Sequence, residues 1–168
     1  MLLADFLGPD DVRQLNLDLL NQKPSEYNLK SRSGSPTDSR SVEQRIRNVR
    51  AAPVRRVIEA IPIFGERALP AAWAHFVCLI AGRHLWPDAN HRTGVLAFSL
   101  ATERAFGTRV FLRGDDALAL VRQRKEMRDG DVSRRGRYYT IDELARPDHP
   151  YRRIFNDYED RLSIKRAR

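Results

Sequence analysis

His84-Leu85-Trp86-Pro87-Asp88-Ala89-Asn90-His91-Arg92-Thr93-Gly94 is the stretch around which the chain is read. Upstream of it, Ala71 to Arg83 carries Ala72, Trp73, Phe76, Val77, Leu79 and Ile80. Apolar side chains over so much of the circumference predict a buried central helix, opened by Pro70. Downstream, Val95, Leu96, Phe98, Leu100, Ala101 and Ala105 predict a second apolar helix from Thr93 to Phe106, stopped by Gly107. Pro87 cannot continue a helix from Arg83, and it pushes Trp86 toward extended backbone. The stretch therefore reads as a helix–loop–helix: His84 ends one buried helix, Pro87 to His91 form a tight loop, and the next helix starts near Asn90 to Thr93.

The nine residues from His84 to Arg92 hold a base, a carboxylate, an amide and a permanent cation. A helix start leaves backbone N–H groups without intrahelical partners, and its dipole favours an anion, so a loop entering a helix this way can cradle phosphate. Ala89 is small enough to let a ligand approach the backbone. Asn90 offers an amide donor, and Arg92 can hold a phosphate bidentately. Asp88 is a hard oxygen ligand suited to Mg²⁺ on those phosphates. His84 is a base within reach of a hydroxyl proton. These are the needs of phosphoryl or nucleotidyl transfer. A metal trio of His84, Asp88 and His91 would need one continuous helix, which Pro87 opposes. The bland alternative is a loop in which Asp88 and Asn90 cap the next helix and His84 is satisfied locally.

Further out, Val12, Leu15, Leu19 and Leu20 recur at helical spacing after Pro9-Asp10-Asp11, with an Asp expected as N-cap. Lys23 to Ser39 is rich in Ser, Pro, Gly and Asn and reads as a long polar loop. Ser39 or Ser41 could cap a helix with Val42, Ile46 and Val49 on its apolar face, followed by a piece from Val54 to Ile61 with Pro53 in its first turn. Val110-Phe111-Leu112 reads as a short strand. Asp115 or Asp116 is expected to cap a helix that Asp129-Gly130-Asp131 would end. Thr140-x-x-Glu143 is a capping-box pattern. Asp148 is expected to cap a last helix sharing Ile154, Phe155, Tyr158 and Leu162 on one face, with Lys165 to Arg168 as a frayed tail. The sum is an all-α single domain over residues 1–168, about seven helices with at most a short β-hairpin; its core covers residues 10–146 and its C-terminal helix residues 148–164.

Composition narrows the partners. The chain has 168 residues, 42% hydrophobic, with a net charge of +8, which suits a folded protein with an anionic partner. Cys78 lies alone in the apolar run Phe76-Val77-Cys78-Leu79-Ile80, so no disulfide staples the fold. The start lacks a basic region and Asp5 interrupts its apolar run, so no secretory leader is expected; no stretch is long enough to span a bilayer. A cytoplasmic protein without a membrane role is the expectation.

The central stretch resembles the signature of the Fic/Doc (Fido) superfamily, His-x-Phe-x-Asp/Glu-Gly-Asn-Gly-Arg. It is more similar still to the Doc branch, His-x-Phe-x-Asp-Ala-Asn-Lys-Arg-Thr. The match is His84, Asp88, Ala89, Asn90, Arg92 and Thr93, with Trp86 in the Phe position. The resemblance implies a Fic-type helical bundle and transfer of a phosphate or AMP group, usually from ATP, to a hydroxyl side chain (Ser, Thr or Tyr) of a target protein. By it His84 is the general base, Asp88 the Mg²⁺ ligand, Ala89, Asn90, His91 and Arg92 line the nucleotide phosphates, and Trp86 anchors the loop. A flap beside the motif, from Lys23 to Ser39 or near Phe64, would present the target.

Three departures qualify the likeness. Val95 stands where many AMP-transferring members carry a second Arg, which Doc also lacks. His91 stands where those members have Gly and Doc has Lys; a side chain there fills space used by nucleotide phosphates, which favours Doc-like phosphate transfer. The family's inhibitory pattern, Ser/Thr-x-x-x-Glu-Gly/Asn, is met by Ser39 and Glu43 but fails at Gln44, so that stretch reads as a helix start, and restraint would fall to a partner such as an antitoxin. The other functional reading is a catalytically idle basic module. It would use Arg122, Arg124, Lys125, Arg128, Arg134, Arg135 and Arg137 to hold an acidic partner protein or nucleic acid; no nucleic-acid motif supports the latter.

Overall fold

The computed structural model describes residues 1–22, 44, 47–63, 65–86 and 88–167. The flap segment Lys23 to Ser39, the helix start at Ser39 to Glu43, Phe64 and Pro87 lie outside them. Among the described residues seven helices run in the order α1 (Pro9–Gln22), α2 (Ala51–Glu59), α3 (Leu69–Arg83), α4 (Asn90–Phe106), α5 (Gly114–Arg135), α6 (Ile141–Ala145) and α7 (Pro150–Asn156). Strands β1 (Thr108–Leu112) and β2 (Leu162–Arg166) pair antiparallel. The fold is all-α with one short two-stranded sheet, as the apolar periodicities predict. No described helix is long and apolar enough to cross a membrane.

Helix α3 is the axis of the core. From Ala72 to Gly82 every residue except His75 is buried, so its apolar face covers the whole circumference. Helices α4, α6 and α7 pack against it, and α1 lies across α4 and α2. Two glycines permit the closest approaches. A Cβ on Gly94 would stand 3.3 Å from Ile80 Cβ, where α4 crosses α3. A Cβ on Gly82 would fall 2.8 Å from the Leu144 side chain and 2.9 Å from the Tyr151 ring. The core is close-packed at both places: a methyl would clash at Gly82, and at Gly94 it would need its neighbour to give by a few tenths of an ångström.

Several expected boundaries move. Helix α1 starts at Pro9, so its cap is Gly8, and Asp11 reaches back from the first turn to accept the Gly8 N–H at 2.9 Å. Helix α5 does not stop at Asp129-Gly130-Asp131; it continues to Arg135 and ends at Gly136, left-handed at φ 70°, whose N–H bonds to Val132 O at 2.8 Å. Asp131 spends its carboxylate on Tyr139 and Arg134 and not on breaking the helix. Arg113, extended at ψ 156°, precedes α5, while Asp115 and Asp116 sit in its first turn. The capping box at Thr140 and Glu143 forms as expected. Helix α7 is capped by His149, whose Nδ1 accepts the Tyr151 N–H at 3.2 Å, and not by Asp148. The C-terminal helix expected over residues 148–164 ends at Asn156, and the tail expected to fray is strand β2. Val110 faces Ile164 and Leu112 faces Leu162 across the pair, which supplies the backbone partners a frayed end would lack.

Candidate active site

The helix–loop–helix forms with its loop held at both ends by left-handed residues. His84 closes α3 at φ 51° and Ala89 precedes α4 at φ 60°. Neither is glycine, so each costs about 1–2 kcal/mol of backbone energy. The packing that sustains this is visible. Trp86 is 1% exposed and anchors the loop in the core, as expected of the aromatic position. Its backbone is clamped by one side chain: Asn90 Oδ1 accepts the Trp86 N–H at 3.0 Å, and Asn90 Nδ2 donates to the Trp86 carbonyl at 2.8 Å.

A second clamp comes from a residue that sequence reasoning missed. Asn16 of α1 is fully buried and donates to the Asp88 carbonyl at 3.0 Å and to Thr93 Oγ1 at 2.8 Å. Thr93 Oγ1 in turn donates to the Ala89 carbonyl at 2.9 Å. The signal for Asn16 was its place: it lies four residues after Val12, on the apolar face of α1. An amide there needs a partner, and the partner is the motif.

No side chain caps α4, since Ala89 has no polar group to offer. Asp88, partly exposed, turns one carboxylate oxygen back to the Ala89 N–H at 2.5 Å. The first amides of α4, from Asn90 to Arg92, remain at the positive end of a helix of 17 residues. Arg92 and His91 line a largely apolar groove with Leu19, Val95, Leu96, Phe111 and Leu118. His91 is 6% exposed, its ring centroid lies 6.4 Å from that of Phe155, and burial lowers its pKa to about 3. A neutral buried imidazole supplies packing at this position, not a cation.

His84 is the best-defined chemical group of the loop. Its ring stacks against Tyr138 with centroids 4.4 Å apart. Its Nδ1 faces Asn90 Nδ2 at 3.2 Å and Arg128 Nη1 at 3.5 Å. Trp86 fixes which way the Asn90 amide points, and a guanidinium has no acceptor. Both neighbours are therefore donors, Nδ1 carries the lone pair, and the proton of the neutral ring sits on Nε2. Burial, then the charges of Arg128 and Arg124, lower the His84 pKa to about 4, against a smaller opposing effect of Asp129. The ring is neutral at physiological pH.

Arg128 and Tyr138 thus join the site, from 44 and 54 residues away, although the sequence placed both only in basic or aromatic surface runs. Among the described residues no group of three or more His, Cys, Asp or Glu is arranged to hold a metal. His84, Asp88, Asn90 and Arg92 do come together around one loop; of these, Asn90 is committed to the loop itself. Comparison with protein-family models, with curated proteins and with solved structures finds no match.

Proposed function

We propose that the chain is a Doc-like protein-modifying transferase, moving a phosphate or AMP group from a nucleoside triphosphate to a hydroxyl of a target protein. One observation carries the reading: a strained loop, clamped twice by buried amides, sets a neutral imidazole beside the uncapped start of α4. Strain of this kind persists where the surroundings over-determine it, and it concentrates at working sites. The hydroxyl oxygen would form a bond to phosphorus as the bond from phosphorus to its leaving oxygen breaks, and the hydroxyl proton would pass to His84 Nδ1. To take it, Nδ1 would give up the N–H groups of Asn90, at 3.2 Å, and Arg128, at 3.5 Å, that face it in the empty site. Attack at the γ-phosphorus releases a nucleoside diphosphate; attack at the α-phosphorus releases pyrophosphate.

The α4 amides and Arg92 would neutralise charge on the phosphates. Asp88 fits a Mg²⁺ role, because a lone carboxylate with one oxygen uncommitted is the usual protein share of a site completed by phosphates and water. When bound, that ion would further neutralise the phosphates. A toxin restrained by an antitoxin is the biological setting this reading suggests.

The basic-module reading is weakened by pairing. Of its seven cations, Arg128 meets Asp129, Arg134 meets Asp131, and Arg135 and Arg137 both meet Glu143. Incubation with labelled ATP, Mg²⁺ and cell lysate tests the transferase. A labelled protein band that is lost with His84→Ala is the expected result, and its intact mass separates AMP from phosphate. Labelling that survives His84→Ala would end the proposal.

A further inference from the structure

Helix α5 carries an arrangement that its surface charge does not explain. Arg124 and Arg128 are four residues apart, so both guanidinium groups leave the same face of α5. Arg128 has a side chain only 15% exposed. It gives Nε and Nη2 to Asp129, at 3.0 and 2.7 Å, and turns Nη1 to His84. Arg124 is desolvated too: burial is the largest cause lowering its pKa, opposed by Tyr151, with the charge of Arg128 adding to the lowering and that of Asp129 opposing it. Its Nε is buried with no hydrogen-bond acceptor among the described residues. The rest of the guanidinium interacts with the phenol of Tyr151, and the charge of Asp129 reaches it. Arg124 also stands close enough to His84 and to His91 to depress both.

This cluster therefore holds two permanent cations, two neutral imidazoles and one carboxylate. Arg128, Arg134 and Arg135 of α5 form ion pairs with carboxylates, and Arg124, the buried one without such a pair among the described residues, does not. A buried guanidinium without an anion is unfavourable, and natural folds pair such groups or reserve them for a ligand. The missing partner has a definite chemistry, since a planar guanidinium pair suits an oxyanion with several oxygens, phosphate above all.

We propose that Arg124 and Arg128 form a phosphate-binding site that faces His84 from α5, across from the start of α4. The site would draw Arg128 Nη1 onto the anion and away from His84 Nδ1, leaving Asn90 Nδ2 at 3.2 Å as its remaining neighbour among the described residues. Identifying the anion as a nucleotide phosphate rests on the transferase reading; the anion site itself does not.

Calorimetric titration of the full chain with pyrophosphate, and separately with ATP, tests it. Pyrophosphate is expected to bind the wild type. Arg124→Met and Arg128→Gln should each weaken it about 10-fold or more, the loss of one charge-assisted contact, and Arg124→Lys by less. A urea unfolding curve without anion supplies the second readout. Arg124→Met should be as stable as the wild type or more so, because it removes an uncompensated cation, whereas an arginine with a purely structural role would leave a less stable protein. Tighter binding of ATP than of pyrophosphate would identify a nucleotide as the source, and equal binding a free polyphosphate; both support the site. No binding by the wild type, or equal binding by Arg124→Met and Arg128→Gln, would overturn it. Pyrophosphate binding with no labelled product would leave the site standing and remove the transferase; labelling with pyrophosphate binding indifferent to both substitutions would do the reverse.

Discussion

Replacing Asn90 with Ala separates two roles for the same amide. If Asn90 points at a phosphate, its loss weakens a ligand and leaves the empty protein intact. The geometry argues otherwise. Both hydrogen bonds to Trp86 are buried, at 3.0 and 2.8 Å, and Trp86 is 1% exposed. Asn90→Ala leaves a buried N–H and a buried C=O unpaired, each at a cost of about 1–3 kcal/mol. Partial relaxation of the loop to admit water favours the lower part of that range, so the sum is about 2–4 kcal/mol. For a chain of this size the midpoint of thermal unfolding should fall by about 4–16 °C. The damage should also be local. Trp86 would be released from its clamp while Trp73, fully buried in α3, stays in place, so native-state tryptophan emission should shift to the red before global unfolding. Circular dichroism melts and fluorescence on the two proteins measure both effects. Stability within about 0.5 kcal/mol of the wild type, with unshifted emission, would refute the clamp and return Asn90 to the ligand.

Ala89→Gly should stabilise the protein by about 0.5–1 kcal/mol, since relief of the left-handed penalty at φ 60° exceeds the added entropy of glycine; a urea midpoint that falls would contradict the strain. Gly82→Ala should cost about 1–3 kcal/mol, because the new methyl would meet Leu144 and Tyr151 below 3 Å, and it should be worse than Gly94→Ala, whose closest neighbour is at 3.3 Å. Acid should unfold the protein early. His75 and His84 are lowered to about 4 and His91 to about 3, from an ordinary 6.5, so the unfolded chain binds protons that the folded one does not. Stability is then complete above about pH 6.5 and is lost as pH falls toward 4, with a slope of up to about 4 kcal/mol per unit if all three contribute. Urea titrations between pH 7.5 and 5 measure that slope, and a flat profile would show the imidazoles to be solvated.

What could be read from the sequence, and what could not, divides along the range of the interactions involved. Helices α3 and α4 were legible because their apolar surfaces, proline start and glycine stop are written within one segment. Pro87 placed the break between them for the same local reason. The end of α5 and the fate of the tail were not legible. Asp131 engages Tyr139, and β2 exists because Leu162 and Ile164 meet Leu112 and Val110 some fifty residues away. The site divides in the same way. Spacing located His84, Asp88, Asn90 and Arg92 in one loop but could not say which way each points. The fold turns Asn90 inward as a clamp and packs His91 against Phe155. It also brings Arg124 and Arg128, which as sequence were two more charges on an arginine-rich helix, close to His84. Only Leu120 of α5 is fully buried among the described residues, so the helix shows little apolar periodicity from which to infer its inner face. Its orientation shows instead in Arg124, which has no carboxylate ion pair among the described residues, and in Arg128, which turns Nη1 to His84. A desolvated arginine whose Nε has no acceptor among the described residues marks the face of α5 that meets the motif more sharply than any hydrophobic stripe on it.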